Sequence, residues 1–118
     1  MSQLSDALFA LSPKVRYVAL LRGKELELRE RPGLAGASAT ETDRYEELLV
    51  NPAVLTLLRR RGELDCGGLD HVWIRYGNFW TGLFPFEDGH VNVGLEPDAV
   101  PTEFVGRIRA ALGTGLAH

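Results

Sequence analysis

The sequence predicts an α+β fold built on one antiparallel sheet, and three observations lead to this class. Residues 25–31 alternate apolar with charged side chains, which is typical of a strand with one solvated face. Residues 70–76 form an uninterrupted run rich in β-branched and aromatic residues, followed by a Gly77-Asn78 turn. Around these strands, apolar residues recur at helical spacing. The predicted element order is α-β-β-α-β-β-β-α.

Length and composition favour a single globular domain spanning residues 1–118. Hydrophobic residues make up 45% and charged residues 25%, which excludes wholesale disorder. No apolar run approaches the ~20 residues that cross a bilayer, and residues 1–6 lack a basic signal segment. A soluble, cytoplasmic protein without a membrane partner is expected. The net charge of -3 argues against a dedicated nucleic-acid binder.

The N-terminal third is predicted to form a helix and a hairpin. Residues 2–12 place leucines at helical spacing, and Pro13 follows them. Residues 15–21 are almost all apolar, as in a strand covered on both faces. Gly23 then provides a turn into the alternating strand 25–31.

A central helix is predicted after the hairpin. Ser38 and Glu41 have the spacing of a capping box. Asn51 and Pro52 interrupt the pattern, although Asn51 could cap a new helix with proline in its first turn, and Gly62 is expected to end it. We expect one kinked helix or two in close succession. The residues expected to face the sheet are Tyr45, Leu48, Leu49, Val54, Leu57 and Leu58.

Three strands and a closing helix are predicted for the C-terminal half. The strands are residues 71–76, 79–84 and 90–95, joined by turns at 77–78 and 87–89. Pro85 is expected to end the middle strand because it cannot donate to a ladder. The last helix begins at Pro101 or Thr102 and stops at Gly113.

The two candidate edge strands differ in how well they are protected. Strand 25–31 carries charges at alternate positions, which discourages pairing with another chain. Strand 70–76 has almost no such protection. This contrast predicts a dimerising, partner-binding module.

The element order resembles the roadblock/dynein light chain family, a subclass of the profilin-like and longin-like α/β sandwiches. The resemblance covers the hairpin 15–31, the central helix 41–61, the meander 69–95 and the closing helix 102–112. It implies a five-stranded antiparallel sheet in the order 2-1-5-4-3, with the central helix on one face and the terminal helices on the other. Strand 3 would then pair with its symmetry mate and give a continuous ten-stranded sheet.

The resemblance also implies a function. The chain would be a non-enzymatic homodimeric regulator or scaffold that binds a small Ras-like GTPase, with no nucleotide, cofactor or catalytic arginine of its own. An alternative hypothesis is a small-molecule-binding sensory domain of similar shape. Its ligand would lie between sheet and helix among the aromatic residues.

Candidate contact residues follow from these hypotheses. Alternation puts Trp73 and Arg75 on one face of the edge strand, and both are the foremost candidates for contacts between subunits. The predicted dimer interface comprises His71, Val72, Trp73, Ile74, Arg75 and Tyr76. The candidate partner-binding residues are Arg44, Glu47, Arg59 and Arg60. The favoured interpretation of this set is structural: a solvated helix face for Arg44 and Glu47, and cations that offset the helix dipole for Arg59 and Arg60.

Catalytic and metal chemistry have weak support in the sequence. Cys66 lies beside Asp65 with His71 five residues on, but no signature places an imidazole against the thiol. A packing cysteine at a glycine turn is the ordinary interpretation. His71, His90 and His118 are scattered singly, without the paired spacing of zinc sites. We therefore expect no catalytic residue and no metal ligand.

Overall fold

The computed structural model describes residues 2–34 and 40–113. Their strands form one five-stranded antiparallel sheet in the order β2-β1-β5-β4-β3, which confirms the predicted fold class and strand order. The strands are β1 (Val15–Arg22), β2 (Glu25–Glu30), β3 (Val72–Arg75), β4 (Trp80–Phe86) and β5 (Gly89–Leu95).

The helices lie before, between and after the strands. They are α1 (Gln3–Phe9), α2 (Thr40–Tyr45), a π-helical turn (Glu46–Val50), α3 (Asn51–Asp65), a 3₁₀ turn (Pro101–Glu103) and α4 (Val105–Leu112). We call residues 40–65 the central helix. None of the described helices has both the length and the apolar composition needed to cross a membrane. Ser38 of the predicted capping box and His118 lie outside the described residues.

The terminal helices cover one face of the sheet and form the main core with it. Alternate residues of paired strands share this face, as in the Val18–Val93 and Leu20–Val91 pairs. The buried apolar side chains of this cluster are Leu8, Phe9, Val15, Val18, Leu20, Phe84, Phe86, Val91, Val93, Leu95, Ala99, Phe104, Ile108 and Leu112. The predicted placement of the terminal helices is therefore confirmed.

The central helix covers the opposite face, and the side chains it turns inward are mostly polar. Asp43, Glu47 and Asn51 are buried at four-residue spacing, and Leu55 continues this stripe one turn further on. Beneath them the sheet contributes His90 and Asn92, which are also buried. A polar helix stripe thus lies on a polar patch of the sheet.

The predicted apolar face of the central helix points outward. Tyr45 is 59% exposed, Leu49 60% and Leu57 67%, with Leu48 and Leu58 exposed as well, so the prediction that these residues face the sheet is wrong. The sheet offers hydrogen-bonding side chains at this position, and the polar stripe satisfies them where leucines would not. The helix therefore turns a mostly polar stripe toward the sheet and exposes several large apolar side chains to solvent.

Pro52 lies within a continuous helix, so of the two expected arrangements the structure has a single helix, with a π-helical turn before the proline, and not two separate helices. The amide of Asn51 donates to the carbonyl of Glu46, five residues back, which creates the π-helical turn just before the proline. Proline cannot donate to the carbonyl four residues earlier, and a wider turn accommodates this missing bond. The Asn51 side chain donates to Glu47 and does not cap a new helix.

Gly62 does not end the helix, which runs on to Asp65. The returning chain crosses it closely there: the amide of Gly68 donates to the Gly62 carbonyl at 3.1 Å. A Cβ on Gly62 would lie 3.0 Å from the carbonyl carbon of Gly68. Gly67 and Gly68, with φ of 80° and 92°, make the turn that leaves the helix.

Pro85 does not end β4, which continues to Phe86. It pairs with His90 of β5. The pairing of β4 with the edge strand β3 does not extend beyond Leu83. No strand that the structure describes therefore needs an amide donor from Pro85 on that side of β4.

Replacement of Gly62 by alanine should destabilise the protein by about 1–3 kcal/mol, because the new methyl group meets backbone that cannot move freely. Gly106 in α4 is the matched control, since a Cβ there meets nothing within 4 Å. Gly106→Ala should stabilise by about 0.5–1 kcal/mol. Urea unfolding of both variants measures the free energies; effects of equal sign would contradict this account.

Candidate functional site

The edge strand β3 presents unpaired backbone groups. In the part of the chain that the structure describes, β4 is its sole neighbour. The amide of Tyr76 donates to the carbonyl of Phe79 at 3.0 Å, which marks that pair as hydrogen-bonded. Because hydrogen-bonded and non-bonded pairs alternate in an antiparallel ladder, Trp73 and Arg75 direct their amides and carbonyls to the open edge.

The side chains of β3 divide between the two faces as predicted. Trp73 lies on the terminal-helix face, opposite Gly82, where a Cβ would come within 2.4 Å of the indole ring. The indole meets Phe84 edge-on at 5.9 Å, and His71 stacks on the same ring at 5.2 Å. His71 and Trp73 are half-buried by their own chain, so their side chains have little area left for a second subunit.

The remaining predicted interface residues differ in exposure. Val72 and Ile74 are half-buried on the central-helix face, opposite Leu83 and Thr81. Arg75 is exposed; its guanidinium lies 5.5 Å from the Trp80 ring and donates to the carbonyls of Tyr76 and Gly77. Tyr76 is 37% exposed. The strand edge, Arg75 and Tyr76 are thus the accessible parts of this segment.

The predicted partner-binding residues do not share one surface role. Arg44 and Arg60 are exposed and Arg59 is half-buried. Glu47 has no exposed surface, so the prediction that it contacts a partner, or simply faces solvent, is wrong. The sheet side chains beneath the helix enclose it.

Glu47 is the centre of a buried hydrogen-bond network. Its Oε1 accepts from Asn51 Nδ2 at 3.0 Å and lies 2.7 Å from His90 Nε2. Its Oε2 accepts from the Tyr17 hydroxyl at 2.8 Å and from Asn92 Nδ2 at 2.6 Å. The carboxylate therefore connects the central helix to β1 and β5 through charge-assisted hydrogen bonds.

Tyr17 shows the electrostatic effect of this network. Burial raises the pKa of its phenol, and the charge and hydrogen bond of Glu47 raise it further. The phenol therefore stays protonated and serves as a donor to the carboxylate. Gly94 leaves the space that Tyr17 needs, since a Cβ there would lie 2.9 Å from the Tyr17 Cβ.

The sequence contains a signal for this network that hydrophobic spacing alone does not use. Asp43, Glu47 and Asn51 recur every four residues on one helix face. His90 and Asn92 alternate with apolar residues in a strand that is otherwise typical of a core. A polar stripe and a polar strand face in one chain indicate that the two meet.

A groove opens beside this network, between the first turns of the central helix and the β3–β4 turn. Its volume is about 370 Å³. Asp43, Glu46 and Phe79 line it and also line a smaller cavity of about 20 Å³ that leads inward to Glu30 and Tyr17. Two carboxyl groups thus stand next to aromatic rings at an open surface.

The carboxyl groups of the groove have perturbed acidity. Burial raises the pKa of Asp43 to about 6, and the charges of Glu30 and Glu47 contribute. Burial and the Glu47 charge also raise the pKa of Glu46, while a hydrogen bond from Tyr76 lowers it. Groups with shifted pKa values are common at functional sites, so this groove is a candidate ligand-binding site.

Cys66 and His71 have separate partners. The exposed Cys66 thiol donates to Asp65 at 3.3 Å, whereas Nδ1 of His71 faces Asp70. Across residues 2–34 and 40–113, no three His, Cys, Asp or Glu side chains are grouped so that they could hold a metal ion.

Comparison with known proteins gives no assignment: no protein-family model matches this chain, and no curated protein matches its sequence.

Replacement of Glu47 by glutamine should destabilise the protein by about 3 kcal/mol or more. The amide presents a donor to groups that are themselves donors and leaves buried partners unpaired. Glu63→Gln, on the exposed side of the same helix, removes the same charge and should change stability by less than about 0.5 kcal/mol. Urea unfolding compares the two; equal effects would show that the network is not stabilising.

Replacement of Asp43 by asparagine should stabilise the protein near neutral pH. Because the folded-state pKa is raised from 3.8 to about 6, Asp43 favours folding below pH 3.8, and this contribution is lost as pH rises through about 6. The melting temperature of Asp43→Asn should exceed that of the wild type by several degrees above pH 6. Thermal unfolding at several pH values checks that the difference shrinks in acid; a constant difference would contradict the assignment.

Proposed function

We propose that this chain is a non-enzymatic, homodimeric regulator or scaffold that binds a small Ras-like GTPase. The observation that carries the proposal is the outward apolar surface of the central helix beside an open strand edge. The dimer follows from this surface by physical argument. The GTPase partner follows from the resemblance to the roadblock/dynein light chain family.

The open edge of β3 determines how the second copy would be oriented in the dimer. Trp73 and Arg75 leave backbone donors and acceptors unfilled at the edge, and a second copy of β3, antiparallel across a two-fold axis, would fill them. The result would be one continuous ten-stranded sheet. Four residues supply few hydrogen bonds, so a stable dimer needs further buried area.

The exposed apolar side chains of the central helix would provide this further buried area. It lies on one face of the sheet, with α3 against β4, next to the edge strand. Two-fold pairing of β3 would therefore bring the second central helix alongside the first on the same face. Burial of a leucine such as Leu57 or Leu64, now 67% and 79% exposed, contributes up to about 2 kcal/mol. The exposed apolar residues of this helix are Tyr45, Leu48, Leu49, Leu57, Leu58 and Leu64.

The partner surface would comprise the paired central helices and their exposed arginines. Arg44 and Arg60 are accessible, and arginine is enriched at protein interfaces. A GTPase bound there would be biased toward one nucleotide state if its switch regions make different contacts in the two states.

A second candidate function, the small-molecule sensory domain, has one observation in its favour. The expected ligand position between sheet and central helix is occupied by the Glu47 network and by Leu55. The groove beside Tyr76 and Phe79 is instead the place with room for a small molecule. A sensory role would therefore use this side groove.

Light scattering tests the dimer. The wild type should show twice the monomer mass, and Leu57→Asp or Ile74→Asp should shift the mass to that of one chain. Val100→Asp is the control, because Val100 is an exposed apolar residue, at 49%, that belongs to neither the central helix nor β3. Circular dichroism confirms that each variant is folded. A monomeric wild type, or a dimer unchanged by both central variants, would overturn the interface.

Affinity capture tests the GTPase. Immobilised wild-type protein, incubated with native extract supplemented with GDP or a GTP analogue, should retain a Ras-like GTPase identified by mass spectrometry. Arg44→Glu and Arg60→Glu should reduce its recovery, whereas Arg107→Glu on α4 should not. Failure to retain any such GTPase with either nucleotide, while the dimer persists, would reject the partner and leave the dimer standing.

A further inference from the structure

The groove between the central helix and the β3–β4 turn has the size and the lining of a ligand site. Its volume of about 370 Å³ lies within the range used for small molecules. Helix residues form one wall and the hairpin turn forms the other. The lining residues that carry the argument are Asp43, Tyr45, Glu46, Tyr76 and Phe79.

Asp43 is an unpartnered, buried carboxylate in this groove. The residue is 9% exposed, and its carboxylate makes no hydrogen bond or ion pair within the described ranges. A buried carboxylate in this state carries a desolvation cost that a bound cation would offset. Its position in the lining of both the groove and the inner cavity makes it reachable from the open side.

The charged groups around Asp43 do not neutralise it. Glu30 of β2 and Glu46 and Glu47 of the central helix are acidic, and Tyr17 of β1 donates to Glu47. Arg16 of β1 is the nearby cation, and it is bonded to Glu96 at 2.9 Å and to the Asn78 carbonyl at 3.2 Å. The inner part of the groove is therefore negatively charged.

Aromatic rings form the rest of the wall. The rings of Tyr76 and Phe79 meet edge-to-face, with centroids 5.6 Å apart, and Tyr45 lies across from them on the helix. The Arg16 guanidinium already lies 5.2 Å from the Phe79 centroid, which shows a cation accepted by this ring. Carboxylates beside aromatic faces favour an organic cation over a bare metal ion, because the rings attract the charge and also cover an apolar stem.

We infer that this groove binds an organic cation, a primary ammonium or guanidinium group on a short apolar stem. The cationic head donates to the carboxylates of Asp43 and Glu46, and the stem lies against Tyr76 and Phe79. The same chemistry is carried by a free amine or guanidine and by a lysine or arginine side chain of a peptide. The groove shares Tyr45 and Tyr76 with the proposed dimer surface, but its carboxylates lie outside that surface and the site does not depend on the GTPase.

Binding depends on an ionised carboxylate and therefore on pH. Burial, with the charges of Glu30 and Glu47, raises the pKa of Asp43 to about 6, so affinity should fall as the pH drops below that value. Bound cation stabilises the ionised form and should lower this pKa in turn.

Amide NMR titration tests the site. Butylammonium and butylguanidinium should each give saturable shifts at Asp43, Glu46, Tyr76 and Phe79 above pH 6, whereas the neutral analogue butanol should not. Asp43→Asn should weaken binding by about tenfold or more, because one charge-assisted contact is lost. Asp88→Asn, which removes an exposed carboxylate outside the groove lining, should bind like the wild type.

Parallel titrations distinguish a small-molecule cation from a basic side chain of a peptide as the natural ligand. Short acetylated and amidated peptides carrying one lysine or one arginine are compared with the free cations. Tighter binding of a peptide supports a basic side chain as the natural occupant, and tighter binding of the free cations supports a small molecule. No saturable shift with any of these probes, equal shifts with butanol, or unchanged affinity in folded Asp43→Asn would overturn the site.

Discussion

The orientation of the central helix depends on one carboxylate. Glu47 accepts hydrogen bonds from residues that lie 30 and 45 positions away in the chain, on β1 and β5, and it also contacts His90 and Asn51. These groups converge when the sheet is assembled and the helix lies across it in one rotation. Each buried partner would be costly to leave unpaired, so the network selects a single rotation about the helix axis.

The outward leucines are a consequence of that selection. Turning the helix by one residue, about 100°, could bury more apolar area but would withdraw Glu47 from Tyr17 and Asn92. The π-helical turn before Pro52 assists, because it keeps the residues on both sides in one continuous helix. The chain thus joins the Glu47 carboxylate to four polar partners beneath the helix and leaves several apolar side chains of the helix exposed.

The sequence predicted the sheet better than the helix faces. Strand positions were recoverable because alternation and turn residues act locally, as in residues 25–31 and at Gly77. The inner face of the central helix could not be predicted from the sequence in this way, because hydrophobic spacing assumes that leucines face the core. Glu47 finds its partners on strands far along the chain, and hydrophobic spacing does not identify them; the polar residues His90 and Asn92 in a core-like strand are the signal that does. The groove likewise combines Asp43 and Phe79 from distant segments, which only the fold brings together.

Gly82 of β4 fixes the register of the edge strand β3. On that face of β4 the neighbours of Gly82 are Trp80 and Phe84, so the glycine forms a notch between two large rings, and the Trp73 indole fills it. Sliding β3 by two residues in either direction would drive the indole into one ring or the other. The register of β3 on β4 is therefore fixed, and this in turn fixes the positions of the backbone donors and acceptors of Trp73 and Arg75 along the open edge.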